Sequence, residues 1–168
     1  MDGMFKNGLE PLTDATLRQK LDDFQIDYVH TIDDDRMEEW PAFFTEDASY
    51  KIVSRENHEA GLPMGSFYCN TRGMMSDRVL ALRTANIFEP HTYCHILGPA
   101  RYGRNAAGEI EGRANFQVIR TMEHGQMDLF MAGKYLDHFD VSGPEPKLKS
   151  RLVVHESRQI DVLLCYPI

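Results

Sequence analysis

From Thr13 onward the apolar positions fall at helical spacing. Leu17, Leu21, Phe24 and Tyr28 recur at i, i+4, i+7 and i+11, one stripe of period 3.6, while Asp22, Asp23 and Asp27 occupy other faces. The run Asp33-Asp34-Asp35 breaks that helix. An Asp there is placed to cap a second short helix through Arg36, Glu38 and Glu39, with Trp40, Phe43 and Phe44 as its apolar edge. Pro41 fits such a helix only near its start, because it has no backbone N–H to donate. The period then changes to two. Over Ala48 to Arg55, Tyr50 and Ile52 share one face and Lys51, Val53 and Arg55 the other, which predicts a strand. Arg55-Glu56-Asn57 leads into a loop ending at Gly61-Leu62-Pro63, a short β segment covers Ser66 to Cys69, and Gly73 to Arg83 reads as a third helix with Met75, Val79 and Leu82 on one side.

The second half is read as strands throughout. Tyr93 to Tyr102 is one strand, and Ile110 to Glu123 sets Ala114, Phe116, Val118 and Met122 against Glu111, Arg113, Asn115, Gln117 and Glu123. His124-Gly125 is the turn, since glycine accepts the positive φ of a tight hairpin. Met127, Leu129, Met131, Tyr135 and Phe139 continue one alternating face on the partner strand. A loop over Ser142 to Pro146 precedes two last strands, Leu148 to His155 and Ile160 to Cys165. Helices followed by long antiparallel strands predict an α+β fold: three N-terminal helices packed in a curved, mainly antiparallel sheet, a cone with room for a pocket inside. The organisation expected is an irregular arm over residues 1–12 and one domain over 13–168, since 168 residues fill a single core comfortably.

Composition narrows the function. Eighteen Lys and Arg against 26 Asp and Glu give a formal charge of −8, which disfavours nucleic-acid and anionic-lipid surfaces. The greasiest stretch, Val162 to Tyr166, is far short of the roughly 20 residues of a membrane span. Met1-Asp2-Gly3-Met4 has no basic region leading into an apolar one, so no export signal is expected. Cys69, Cys94 and Cys165 are scattered and form no C-x-x-C pair, which fits a reducing cytoplasm and cannot supply a four-thiolate or Rieske ligand set.

Few residues suggest chemistry. His91 and His95 have H-x-x-x-H spacing around Cys94, a metal pair only if helical; on a strand they stand about 13 Å apart. The strand reading, supported by Pro90 and the surrounding residues, makes them ordinary histidines. Carboxylates are plentiful: Asp47, Glu56, Asp77, Glu89, Asp128, Asp137 and Asp140. Asp47, His91, His95 and His138 are the candidates for acid–base work in a cone cavity, which requires a desolvated carboxylate or imidazole. Arg72, Asp77, Arg78 and Arg83 cluster about the third helix, where they either face a protein partner or pair Asp77 internally with an Arg. No P-loop, G-x-G-x-x-G or G-x-S-x-G motif is present.

Several ordered blocks together resemble one family. Trp40-Pro41-Ala42-Phe43-Phe44-Thr45-Glu46-Asp47-Ala48-Ser49-Tyr50 is similar to the W-P-x-F-F-T-E-D-x-x-Y block of the small (β) subunits of aromatic-ring-hydroxylating dioxygenases. Arg55-Glu56-Asn57, Gly61-Leu62-Pro63 and the stretch Arg72 to Arg83 follow in the family's order. The last of these resembles G-R-G-M-x-x-D-R-x-x-A-L-R, with Thr71 where Gly is common, and the tail from Arg151 to Ile168 is similar too. The likeness spans residues 13–168. It implies a cystatin-like cone of the nuclear transport factor 2-like type. It implies no cofactor and no catalytic residue on this chain, with a Rieske [2Fe–2S] cluster and a mononuclear Fe(II) on a partner α subunit. It implies an α3β3 hexamer, fed by a reductase or ferredoxin, that acts on a small aromatic carboxylate such as salicylate, terephthalate, anthranilate or benzoate. In that setting Trp40, Arg72, Asp77, Arg78 and Arg83 are expected to serve structure and assembly. The alternatives are a stand-alone isomerase, dehydratase or cyclase of the same cone using an Asp/His pair, and a small-ligand binder.

Overall fold

The computed structural model describes residues 9–63, 65–156, 160 and 164–168. Chain order begins with β1 (Glu10–Pro11) and helix α1 (Ala15–Asp33), then a 3-10 turn (Trp40–Phe43), β2 (Phe44–Ser54), α2 (Arg55–Glu59), β3 (Phe67–Cys69) and α3 (Arg72–Thr84). The strands β4 (His91–Leu97), β5 (Arg101–Arg104), β6 (Ile110–Met122), β7 (Met127–Asp140) and β8 (Lys147–His155) follow. The strands form an eight-stranded sheet in the order β1-β5-β6-β7-β8-β2-β3, with β4 also paired to β6 beyond the end of β5. All pairs are antiparallel except β2 with β8. The α+β class and the mainly antiparallel sheet are as the sequence predicts.

Helix α1 starts where Asp14 accepts a hydrogen bond from the Leu17 N–H, satisfying one of the amides that a first turn leaves unpaired. It ends in the acidic run, and Asp35 there takes φ 56°, a left-handed conformation that Asp tolerates better than most residues. Leu21, Phe24, Tyr28, Val29 and Ile32 bury its core face. On α3, Thr71 caps the Met74 N–H, and Met75, Val79 and Leu82 are buried as expected. One core cluster joins these helices to the strands and runs from Leu12 to Ile168.

Several expectations need correction. The second helix is only a 3-10 turn: Pro41 removes an amide donor and restricts the residue before it, and Phe44 already belongs to β2. The Arg55–Asn57 stretch is the start of α2 rather than loop, capped by Ser54 Oγ on the Asn57 N–H at 3.2 Å. The three N-terminal helices thus become two long ones, α1 and α3, with a five-residue α2 between. The strand from Tyr93 to Tyr102 divides into β4 and β5 around Gly98-Pro99-Ala100, where proline cannot donate to a ladder. In the N-terminal arm, residues 1–8 lie outside the described residues, and Glu10–Pro11 pair with β5 as β1. Of the strand expected over Ile160–Cys165, residues 161–163 lie outside the described residues, and Ile160 and Leu164 to Ile168 have no strand pairing.

The largest departure concerns β7. Val118 pairs with Met131 but Ile119 pairs with Leu129, so Phe130 is an extra residue, a β-bulge. Phe130 turns to the helix side of the sheet, stacked 5.3 Å from the Tyr93 ring and beneath the Arg120 guanidinium at 4.7 Å. Past the bulge the parity inverts. Met131, Tyr135 and Phe139 face the core, whereas Met127 and Leu129, expected on the same face, stand outside, 65 % and 62 % exposed.

Candidate functional site

The helix side of the sheet is where a pocket would lie, and large side chains occupy it. Tyr28 from α1, Trp40 from the 3-10 turn, Tyr50 from β2, Tyr135 from β7 and Arg151 from β8 are all essentially without solvent exposure. Arg151 Nε and Nη2 donate to Asp137 Oδ1 and Oδ2, both at 2.8 Å, and Nη2 also donates to Gln25 Oε1 at 2.5 Å. Gln25 returns a bond to Asp137 Oδ2 at 2.8 Å. The guanidinium lies between two aromatic faces, 4.0 Å from the centroid of Tyr28 and 4.2 Å from that of Tyr135. Burial works against the Arg151 charge, but the Asp137 carboxylate outweighs it and the guanidinium stays firmly protonated.

Hydroxyls complete the interior. Trp40 Nε1 donates to Tyr28 Oη at 2.9 Å. Tyr50 Oη donates to the Ile168 carbonyl at 2.9 Å and accepts from the Ile168 N–H at 2.8 Å, and Tyr28 Oη reaches the same carbonyl at 3.3 Å. The tail is therefore docked into the core, with Cys165 and Ile168 buried. Burial pushes the hydroxyls of Tyr28, Tyr50 and Tyr135 above the ordinary phenol range. Trp40 also meets Phe44, Tyr50 and Phe67 edge-on at 5.4, 5.2 and 6.5 Å. Among the described residues a small cleft of about 90 Å³ opens beside Asp33, His91, Tyr93 and Tyr166, and the larger clefts, of about 340 to 460 Å³, are not lined by Tyr28, Trp40, Tyr50 or Tyr135.

The acid–base candidates do not converge. Asp47 is exposed and accepts from Thr45 Oγ1 at 3.1 Å. His138 is on the outer face of the sheet, paired with Glu111 and Ser150. His91 and His95 share the inner face of β4 in a column with Tyr93 between them, the ring centroids 5.0 and 6.2 Å from that of Tyr93. His95 ties β4 to the end of α1: Asp33 Oδ1 lies 2.6 Å from its Nδ1, and Asp33 Oδ2 accepts its backbone N–H at 2.8 Å. His91 Nδ1 sits 2.7 Å from the Glu89 carbonyl. Among the described residues no three His, Cys, Asp or Glu side chains gather closely enough to hold a metal ion. The thiols are dispersed: Cys69 and Cys165 are buried, with burial pushing both up in pKa, and Cys94 is exposed.

Around α3 the charged residues divide. Arg83 is a clamp: it donates to both Asp35 carboxylate oxygens at 2.9 and 2.8 Å, to the Asp35 carbonyl at 2.8 Å and to Glu38 at 2.8 and 3.1 Å. Its hydrogen bonds hold the Glu38 carboxyl down to about 2, and Arg83 itself is raised in return. Arg72 pairs with Glu46, and Arg78 lies over the Phe67 ring at 5.2 Å. Asp77, the residue expected to pair internally, is exposed and makes no ion pair among the described residues. Sequence reasoning missed Gln25, Asp137 and Arg151 as a unit. The signal was parity, because Asp137 shares the stripe of Tyr135 and Phe139, an apolar face that admits a charge only if it is paired.

The two long helices, the packed aromatic interior and the charged clamps between elements complete the geometry of the chain. The family described as the ring-hydroxylating beta subunit matches residues 29–161, and the chain belongs to it, as a component of an oxygenase. The chain is 38 % identical over 141 residues to the anthranilate 1,2-dioxygenase small subunit of Burkholderia cepacia, covering 84 % of this chain and 88 % of that one. It is 37 % identical over 145 residues to subunit beta 1 of the terminal oxygenase component of terephthalate 1,2-dioxygenase from a Comamonas species, covering 86 % and 94 %. The crystal structure of a dioxygenase beta subunit from Novosphingobium aromaticivorans superposes with a TM-score of 0.83 at 38 % identity, covering 91 % of this chain and 97 % of that one.

Proposed function

We propose that this chain is the non-catalytic β subunit of a Rieske-type aromatic-ring hydroxylase, supporting an iron-carrying α subunit in an α3β3 hexamer that oxygenates a small aromatic carboxylate. The filled interior carries the reading: where a stand-alone cone enzyme needs a cavity, Tyr28, Trp40, Tyr50, Tyr135 and Arg151 close on one another and on the docked tail. The names of the anthranilate and terephthalate relatives support a carboxylated ring as substrate. The [2Fe–2S] cluster and the mononuclear Fe(II) belong to the α subunit in this proposal, with electrons from a reductase or ferredoxin in the cytoplasm. The continuous core from Leu12 to Ile168 supports one domain behind a short N-terminal arm. Trp40, Arg72, Arg78 and Arg83 hold the elements that the assembly uses, and Asp77 is left for contact with another chain.

Co-expression with the large subunit, size-exclusion chromatography and iron analysis test this. The expected result is a coloured, iron-containing complex that turns over an aromatic carboxylate only with both chains present. Turnover by the purified small chain alone, without iron, overturns it in favour of a stand-alone isomerase, dehydratase or cyclase.

A further inference from the structure

We propose that the outer face of the β4–β6–β7 end of the sheet is the surface that docks the large oxygenase subunit. The proposal rests on the β-subunit reading and says where that partner sits. Strand register sets the outward side chains in three rows: Thr92, Thr121 and Met127; Cys94, Ile119 and Leu129; Ile96, Gln117 and Ala132. No charge occurs among the nine. Ile96, Met127 and Leu129 are 48 %, 65 % and 62 % exposed, and Cys94 is exposed beside them. The next outward positions along β6 and β7 are Asn115, Arg113 and Glu111 with Lys134, Leu136 and His138; there the apolar residue, Leu136, is buried in a small cluster with Val53 and Val154. One end of the face thus leaves its apolar side chains in water, whereas farther along the apolar Leu136 is covered.

The apolar end is produced by the Phe130 bulge. Without the extra residue, Met127 and Leu129 would share the core face of Met131 and Tyr135; with it, Asp128 and Phe130 turn inward and the two apolar side chains turn out. The inward residues are secured by Arg120, which donates to Asp128 Oδ1 and Oδ2 at 3.2 and 3.0 Å and covers Phe130. Bulges of this kind re-aim side chains, and here the re-aiming costs burial that the isolated chain does not recover.

Area and charge choose the occupant. Strands about 4.8 Å apart with an outward side chain about every 6.8 Å give nine residues a footprint of roughly 300 Å². A stable interface takes about 800 Å² per partner. Two copies meeting patch to patch bury too little, and each carries a formal charge of −8 that opposes the approach. A larger chain extends the contact beyond the patch. Its matching surface is apolar at the centre and charged at the rim, where Glu89 and Glu123 lie beyond the first row; the Glu123 N–H donates to the Pro90 carbonyl at 3.1 Å, and the His124 ring lies 3.5 Å from the Glu89 carboxylate.

The test uses the chain co-expressed with its large subunit and measures the fraction of small chain eluting with it, alongside the melting temperature of each isolated variant. Leu129→Glu and Ile96→Glu are expected to cut co-elution at least tenfold with melting unchanged. Ile26→Glu, exposed on α1 away from the sheet's outer face, is expected to leave co-elution as in wild type. If Leu129→Glu lowers melting, Leu129→Thr carries the same expectation in weaker form. Wild-type co-elution by both patch variants overturns the proposal. So does a patch variant that turns an isolated dimer into a monomer while still binding the large subunit, since the occupant is then a second copy. If wild-type chains themselves fail to co-elute, the β-subunit reading fails instead.

Discussion

On the inner face of β7, Tyr135 and Asp137 have no solvent exposure; on the outer face of the same strand, Met127 and Leu129 are the more exposed of its apolar residues. The inner face buries a full ion pair and several phenols, and the outer face leaves methionine and leucine in water. Local preference alone does not sort these residues, since Asp137 is inside and Met127 and Leu129 are outside. What sorts them is completion of partners. Asp137 is tolerated inside because Arg151 and Gln25 satisfy it, and Leu129 is tolerated outside at little cost to the fold because the core closes without it.

The heaviest blow to that arrangement is removal of one side of the buried pair. Arg151→Met leaves Asp137 uncompensated and is expected to lower stability by about 3–5 kcal/mol in urea unfolding. Arg151→Met combined with Asp137→Leu is expected to recover much of the loss, because an apolar pair needs no desolvated charge. A single substitution costing less than about 1 kcal/mol shows that the inner face does not depend on completed partners.

Two residues either side of the bulge sharpen the contrast within one strand. Met131→Ala opens a cavity in the core and is expected to cost about 2–4 kcal/mol. Leu129→Ala, on the outer face, is expected to stay within about 0.5 kcal/mol in the isolated chain. Equal losses mean that the parity inversion at Phe130 is wrong. Nothing in Leu129-Phe130-Met131 announces a bulge, since three consecutive apolar residues suit either register. The information lies instead in Arg120 and Asp128, which meet only across the paired strands. The sequence-legible features were those with local causes: the stripes of α1 and α3, the alternation of β6, and the turn at Gly125, whose φ of 91° requires glycine. The features that were not legible depend on long-range meetings. Gln25 and Arg151 are 126 residues apart, and Tyr50 finds Ile168 118 residues away. Trp40 was legible as an anchor through its block, but its hydrogen bond to Tyr28 was not.

pH probes the inner face without mutation. Burial raises the Tyr28, Tyr50 and Tyr135 pKa values above the ordinary phenol value of about 10. The folded state keeps these protons more tightly than the unfolded chain, so their contribution is fully present below pH 10 and is lost as pH rises beyond it. Each tyrosine ionised only in the unfolded chain lowers stability by about 1.4 kcal/mol per pH unit. Urea midpoints between pH 9 and 11.5 are expected to fall steeply, with Tyr102 and Tyr166 adding to the slope, and Tyr50→Phe to make the fall shallower. A flat profile shows that the phenols are not sequestered.

The smallest expected effect separates folding from assembly at α3. Arg83 spans Asp35 and Glu38 with several hydrogen bonds, yet the carboxylates are exposed, so the clamp is worth little in water. Asp77 has less still to lose, because it has no ion-pair partner among the described residues. Asp77→Ala is therefore expected to shift the isolated chain by no more than about 0.5 kcal/mol. If the α3 surface contributes to assembly, the same substitution weakens co-elution with the large subunit, and the two readouts diverge. Parallel loss of stability and assembly restores an internal role for Asp77. No change in either leaves the Phe130-dependent face to carry the contact alone, since an exposed charge with no partner in either state contributes to neither.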